Sequence, residues 1–186
     1  MKYLYVLLMI SMLACCGKDK EEEVYNENNT NVVNGVVYDI YDKPINGIYK
    51  AYHGNGSVRM EMNARKGLPD GDGRFYDENG NLAYSITFKN GKLNGKFYHY
   101  YEDGNIHNEL NYVDGEQSGT QILYDEKGQQ VVDLFYENNK AVKGYVFVDG
   151  EKIEFDEDEL KELSFGPQNI EEELALPQSL AEEAKE

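Results

Sequence analysis

The sequence predicts an all-β protein, an elongated antiparallel meander of stacked β-hairpins with a short acidic, partly helical C-terminal tail. Three observations predict it. Glycine recurs without gaps at a period of 24, at Gly47, Gly71, Gly95 and Gly119, at Gly56, Gly80, Gly104 and Gly128, and at Gly67, Gly91 and Gly115, with Asn139 in the fourth place of the last column. Asn or Asp precedes most of these glycines, as in Asn94-Gly95, Asn90-Gly91 and Asp114-Gly115; such dipeptides favour two-residue turns with positive φ. Between them the chain alternates, as in Leu82-Ala83-Tyr84-Ser85-Ile86-Thr87-Phe88, where every second residue is large and apolar, the pattern of a strand with one buried face.

The elements follow in chain order. Lys2 leads the apolar run Tyr3 to Ala14, which is too short to span a bilayer and has the charge and small-residue ending of an export signal. Residues 1–15 are therefore expected to be a signal peptide. Leu13-Ala14-Cys15-Cys16-Gly17 resembles a bacterial lipobox, which implies a lipid on Cys16, with Cys15 as the alternative. Both cysteines of the chain lie here, so the remainder can form no disulfide and no thiolate nucleophile. Residues 16–33, with Lys18-Asp19-Lys20-Glu21-Glu22-Glu23 and an Asn-rich stretch, read as a solvated tether. Neither cysteine is followed by Asp, and the resemblance to a lipoprotein then implies delivery to the outer membrane, on its periplasmic face or at the cell surface.

The sheet is expected over residues 34–155, with four full copies at 47–142 and partial copies at both ends. Each copy is one hairpin, and since a lone hairpin is marginal in water, the copies must stack edge to edge and share an apolar surface. Tyr52, Tyr76, Tyr100 and Tyr124 form a further column at the same period. Cross-strand packing over glycine explains such a column; a Tyr-lined strip for a peptide or glycan, widened by Tyr49, Tyr98, Phe75 and Phe97, is the functional alternative. Residues 156–186 form the acidic tail, in which Asp156 to Leu163 reads as a helix.

The unit Gly-x-x-x-x-Tyr-x-x-x-Gly-x-apolar, seen in Gly95 to Tyr101 and Gly104-Asn105-Ile106, closes with Tyr112-Val113-Asp114-Gly115-Glu116-Gln117-Ser118-Gly119. It resembles the bacterial MORN repeat variant. That variant occurs in chains called YwqK-type antitoxins and in exported lipoproteins, so the resemblance implies a hairpin architecture and a role in binding, by scaffolding or by neutralising a toxin. The fold alone does not fix an activity.

Charge narrows the partners. The chain carries a formal net charge of −17, which repels phosphates and excludes nucleic acid as a default partner. Residues 151–186 hold 13 acids against 3 lysines, a net −10, while residues 47–142 hold 14 acids against 10 bases. The acidity is thus concentrated in the tail. Expected partners are the membrane, through the N-terminal lipid, and a protein or glycan; a basic protein suits the neutralising reading. His53, His99 and His107 occupy three different places in the repeat, so periodicity supplies no shared metal face. No Gly-x-Ser-x-Gly elbow is present and the many carboxylates lack convergent spacing. No enzyme activity, cofactor or metal is expected.

Overall fold

The computed structural model describes residues 23–163. Its strands are β1 (Val24–Asn26), β2 (Thr30–Val33), β3 (Val36–Asp39), β4 (Gly47–Tyr52), β5 (Val58–Arg65), β6 (Leu68–Tyr76), β7 (Leu82–Lys89), β8 (Lys92–Tyr100), β9 (Ile106–Val113), β10 (Glu116–Gln117), β11 (Gly119–Tyr124), β12 (Gln130–Glu137), β13 (Lys140–Val148) and β14 (Glu151–Glu154). One helix, α1 (Glu157–Glu162), follows. The main sheet runs β1-β4-β5-β6-β7-β8-β9-β11-β12-β13-β14, with β10 paired to β9, and β2-β3 form a separate two-stranded sheet. From β4 onward every neighbour is antiparallel and, the short β10 aside, sequential, so the fold is all-β and each 24-residue copy is one hairpin plus its link to the next.

The second glycine column lies in the longer turns, where the amides of Gly56, Gly80, Gly104 and Gly128 donate to the carbonyls of His53, Asp77, Tyr101 and Asp125, and the third column lies in the tight two-residue turns. Asn90 and Gly91 both have positive φ, 49° and 85°, as do Asp114 and Gly115 at 51° and 93°. These are the mirror-image two-residue turns whose twist matches that of the flanking strands. Each turn also reaches back one copy: the amides of Gly67, Gly91, Gly115 and Asn139 donate to the carbonyls of Ile45, Pro69, Leu93 and Gln117, at 2.8 to 3.0 Å. Asn139 can take the glycine's place because Asn tolerates the left-handed conformation, here at φ 63°. The first column differs from expectation. Gly71 and Gly95 lie inside β6 and β8, not in turns, with φ 111° and 122°. A side chain there would meet Asn63 or Thr87 of the preceding strand at 3.2 Å, so these positions favour glycine for backbone conformation and for room.

The N-terminal end also departs from the sequence reading. Part of the stretch read as tether is ordered: β1 pairs in parallel with β4, and β2 pairs with β3. Residues 36–39 therefore leave the main sheet instead of continuing it. Pro44, which lacks an amide donor, follows the Asp39–Asp42 turn, and the hairpin is held by bonds from Val37 N to Gly67 O and from Ile45 N to Val37 O.

One face of the sheet is the core. Across β4 to β9 the register aligns Tyr49, Met62, Gly73, Ile86, Phe97 and Leu110 in one row, and Ala51, Met60, Phe75, Tyr84, His99 and Asn108 in the next. Val32, Val37 and Ile45 pack over the N-terminal end of these rows. At the other end Leu134, Tyr136 and Ala141 form a second cluster beneath Phe155, Leu160 and Leu163. The helix that supplies this cover starts at Asp156, whose side chain accepts from the Asp158 and Glu159 amides while Glu159 reaches back to the Asp156 amide. This reciprocal cap satisfies donors that the first turn would otherwise leave open. The predicted helix is thus present, one residue inside each expected end.

Candidate functional site

Cys15 and Cys16 lie outside the described residues. The aromatic candidates divide between the two faces of the sheet. Tyr49, Phe75 and Phe97 are 3 to 4% exposed and belong to the core, which corrects their assignment to an accessible strip. The reason is the period of two along a strand: residues 49 and 51 of β4, 73 and 75 of β6, and 97 and 99 of β8 share the inner face.

The outer face carries the rest. One row runs Lys50, Glu61, Arg74, Ser85, Tyr98, Glu109, Ile122, Asp133 and Tyr145, each paired in register with the next. Beside it stands the tyrosine column. Tyr52 is 39% exposed, whereas Tyr76, Tyr98, Tyr100 and Tyr124 are half-buried. Tyr100 Oη lies 2.9 Å from Ser85 Oγ, and its ring centre 6.2 Å from that of Tyr98. Lys50 pairs with Glu61, and Lys96 with Glu109, so the basic groups here are largely offset by their neighbours. Burial, and then Glu61 beside it, pushes the Tyr76 phenol up; burial and then Glu109 do the same for Tyr124. Both hydroxyls therefore stay protonated and can donate at neutral pH. Such a surface can stack on an apolar face and hydrogen-bond at its margin. Neighbouring rings of the column lie about 9.6 Å apart, two strand spacings.

Sequence reasoning missed a third group. Between His99 and Tyr100 the register with β9 shifts, His99 facing Asn108 and Tyr100 facing Ile106, so His107 is the extra residue of a bulge. A bulge sets two residues opposite one, and His107 Nδ1 comes to 3.1 Å from His99 Nδ1. His99 stacks on Tyr84 with ring centres 4.7 Å apart, and His107 packs against Tyr101 at 4.5 Å. Tyr101 Oη donates to the Tyr124 carbonyl at 2.8 Å, as His53 Nε2 meets the Tyr76 carbonyl one copy-pair earlier at 2.8 Å. No sequence pattern marks the pair: the same register shift recurs one period away in each copy, and it brings positions 99 and 107 together although they differ in repeat phase. Among the described residues no three His, Cys, Asp or Glu side chains gather as a metal-binding set.

Comparisons with known proteins agree with the repeat geometry. Residues 69–90 and 93–114 each match the MORN repeat variant, and these two stretches correspond to the β6–β7 and β8–β9 hairpins. The chain thus carries MORN repeats. No curated protein matches it. Among solved structures, a point mutant of S. aureus TarM in complex with fondaparinux, alpha-GlcNAc-glycerol and UDP is similar over 68% of this chain and 21% of that one, at 16% identity and a TM-score of 0.25. A GtfA/B complex bound to UDP and GlcNAc is similar over 76% of this chain and 25% of that one, at 13% identity and a TM-score of 0.25. The chain spans a quarter or less of the length of either.

Proposed function

We propose that this MORN-repeat chain is an exported, lipid-anchored protein of the bacterial cell envelope that acts as a non-catalytic protein-interaction or scaffolding module. The observation that carries the binding role is the outer face, where the tyrosine column stands beside the row that holds Tyr98 and the Lys50–Glu61 pair. Rings fixed by neighbouring strands lose little conformational freedom when a partner docks. The anchor and the envelope location rest on Lys2, the apolar run behind it and Cys16.

Capture by cross-linking on intact envelopes tests the reading. The wild-type chain should retain a defined partner, and the Tyr52→Ala, Tyr98→Ala double variant should lose at least tenfold in affinity while melting at nearly the wild-type temperature. A folded double variant that binds as tightly as wild type would overturn the outer-face assignment. Removing residues 164–186 takes away six acids and one lysine without touching β14 or α1; loss of binding on that deletion alone would favour the neutraliser of a basic toxin. Cys16→Ser should release the protein from the membrane fraction, and recovery of an unacylated mature protein from wild-type cells would remove the anchor.

A further inference from the structure

We propose that His99 and His107 form a two-histidine site for a divalent first-row transition ion, Cu²⁺ or Zn²⁺, bound through both Nδ1 atoms with water completing its coordination. The inference goes beyond the binding role of the outer face and does not rest on it. Two nitrogens held 3.1 Å apart are at the separation that two ligands take around one ion at about 2.0 to 2.1 Å, with a bite angle of roughly 100°. That angle lies between the square-planar and tetrahedral values, which suits copper and zinc. In the neutral pair one Nδ1 must donate its proton to the other, and an ion replaces that single proton while engaging both lone pairs.

Both rings are already oriented. His99 is stacked at an interplanar angle of 22° on Tyr84, and His107 is wedged between His99 and Tyr101, whose hydroxyl is tied to the next copy. Little rotamer freedom remains to be lost on binding, which is the usual weakness of a two-ligand site. Both histidines are half-buried, so an ion and its waters can reach them. Asn108, opposite His99, is engaged instead by Gln121, whose Nε2 donates to Asn108 Oδ1 at 3.2 Å. Charge favours a cation as well: the Tyr101 phenol beside the pair is pushed up by burial first and then by Glu126, Asp125 and Asp103, and opposite charge raises the local concentration of a cation.

The test uses the full-length chain with Cys15→Ser and Cys16→Ser, which removes the only thiols, and Cu²⁺ as the probe. Calorimetric titration should show one tight equivalent, and electron paramagnetic resonance should show hyperfine coupling to two nitrogens. His107→Ala should weaken that equivalent at least tenfold, whereas His53→Ala should leave it unchanged. Equal affinity in the His107→Ala and wild-type sites, or a copper signal with oxygen ligands alone, would overturn the proposal and place the ion on the acidic surface. Should the His variants melt early without metal, ¹⁵N spectra of the histidine-bearing chain decide: both Nδ1 resonances must move with one equivalent of Zn²⁺, and unmoved resonances overturn the site.

Discussion

The inner face of the sheet is filled in two ways. From β4 to β9 it is mostly apolar, with Met60, Met62, Ile86, Phe97 and Leu110 at 0 to 3% exposure, and polar only at its far end, where His99 pairs with Asn108. Beyond β9 the same repeat positions turn polar: Gln121 stands where Tyr49, Gly73 and Phe97 stand in earlier copies, and Gln117 where Ile45 and Leu93 stand. The two glutamines are 0% and 5% exposed. Their amides form a chain, in which Gln117 Nε2 donates to Gln121 Oε1 at 3.0 Å, Gln121 Nε2 to Asn108 Oδ1 at 3.2 Å, and the Gln117 backbone amide to Asn139 Oδ1 at 2.6 Å. A buried polar layer is tolerated only when its members are bonded. Here it divides one repeat stack into two cores, and the smaller one is closed by its own helix. Strict periodicity of backbone therefore does not imply periodicity of stability.

The largest effects should come from deleting core side chains on either side of that layer. Phe97→Ala should cost about 3 to 5 kcal/mol and Leu134→Ala about 2 to 5 kcal/mol. The comparison lies in how the loss spreads. Phe97→Ala should lower the main melting transition, while Leu134→Ala should first release the amides of β12 and β13 in hydrogen exchange, since units with fewer apolar contacts open separately. Uniform exchange along the sheet in the Leu134→Ala variant would show a single cooperative core.

A smaller effect tests the polar layer itself. Gln121→Leu leaves Gln117 and Asn108 without one partner each and should cost about 1 to 3 kcal/mol. Replacing all three, with Gln117→Leu, Gln121→Leu and Asn108→Val, should recover most of that loss in a denaturant melt, because an apolar layer of similar volume needs no partners. If the triple variant is no better than Gln121→Leu, the division is a matter of packing and not of polarity.

Next comes the turn. Gly91→Val should destabilise by about 1 to 3 kcal/mol, because a β-branched residue resists φ 85°, and Lys92→Val should cost less. Equal melting temperatures for the two would remove the turn from the account of the repeat. In the fourth copy Asn139→Gly keeps the backbone angle and loses the side-chain bond to Gln117, so it should weaken the C-terminal core alone.

These positions also mark how far the sequence could be read. Hairpins, their order and the 24-residue unit were legible because Asn90-Gly91 and Asp114-Gly115 impose a turn type on their own. The role of Gly71 and Gly95 was not, since an Asp-Gly or Asn-Gly pair inside a strand looks the same as one in a turn until the crowding by Asn63 and Thr87 is known. Alternation exposed the buried face of β7, yet Tyr49 and Phe97 could not be assigned to it, because strands with aromatic residues on both faces carry no amphipathic signal. The pairing of β1 with β4 was hidden for a different reason: a three-residue parallel edge in a polar stretch owes its place to the carbonyl of Glu23, which accepts from Ile48 N at 2.9 Å, and to no pattern of its own. His99 and His107 met through a bulge, whose recurrence shows only in the register.

The smallest effect expected separates two equivalent turns, one in each half. Asp77 Oδ1 accepts from the amides of Asn79 and Asn81 at 2.9 and 2.8 Å, and its Oδ2 from Asn81 Nδ2 at 2.9 Å. In the fourth copy Asp125 Oδ1 accepts from the amides of Lys127 and Gln129 at 2.9 and 2.8 Å, the side chain of Gln129 replacing that of Asn81. The Asn81 side chain and then its amide hold the Asp77 carboxyl below the usual carboxylate range. A depressed folded-state value means that the turn's contribution is present above the ordinary carboxylate pKa of about 3.9 and is lost as pH falls below it, since the unfolded chain then binds the proton first. Asp77→Asn keeps an acceptor at Oδ1 and removes the charge. Its melting temperature should lie slightly below wild type at pH 7, and the gap should close as pH is lowered toward 3. Asn81→Gln, which copies the fourth turn into the second, should leave less of the gap to close; a gap that stays constant from pH 7 to 3 would mean that the Asp77 bonds hold the turn by geometry and not by charge.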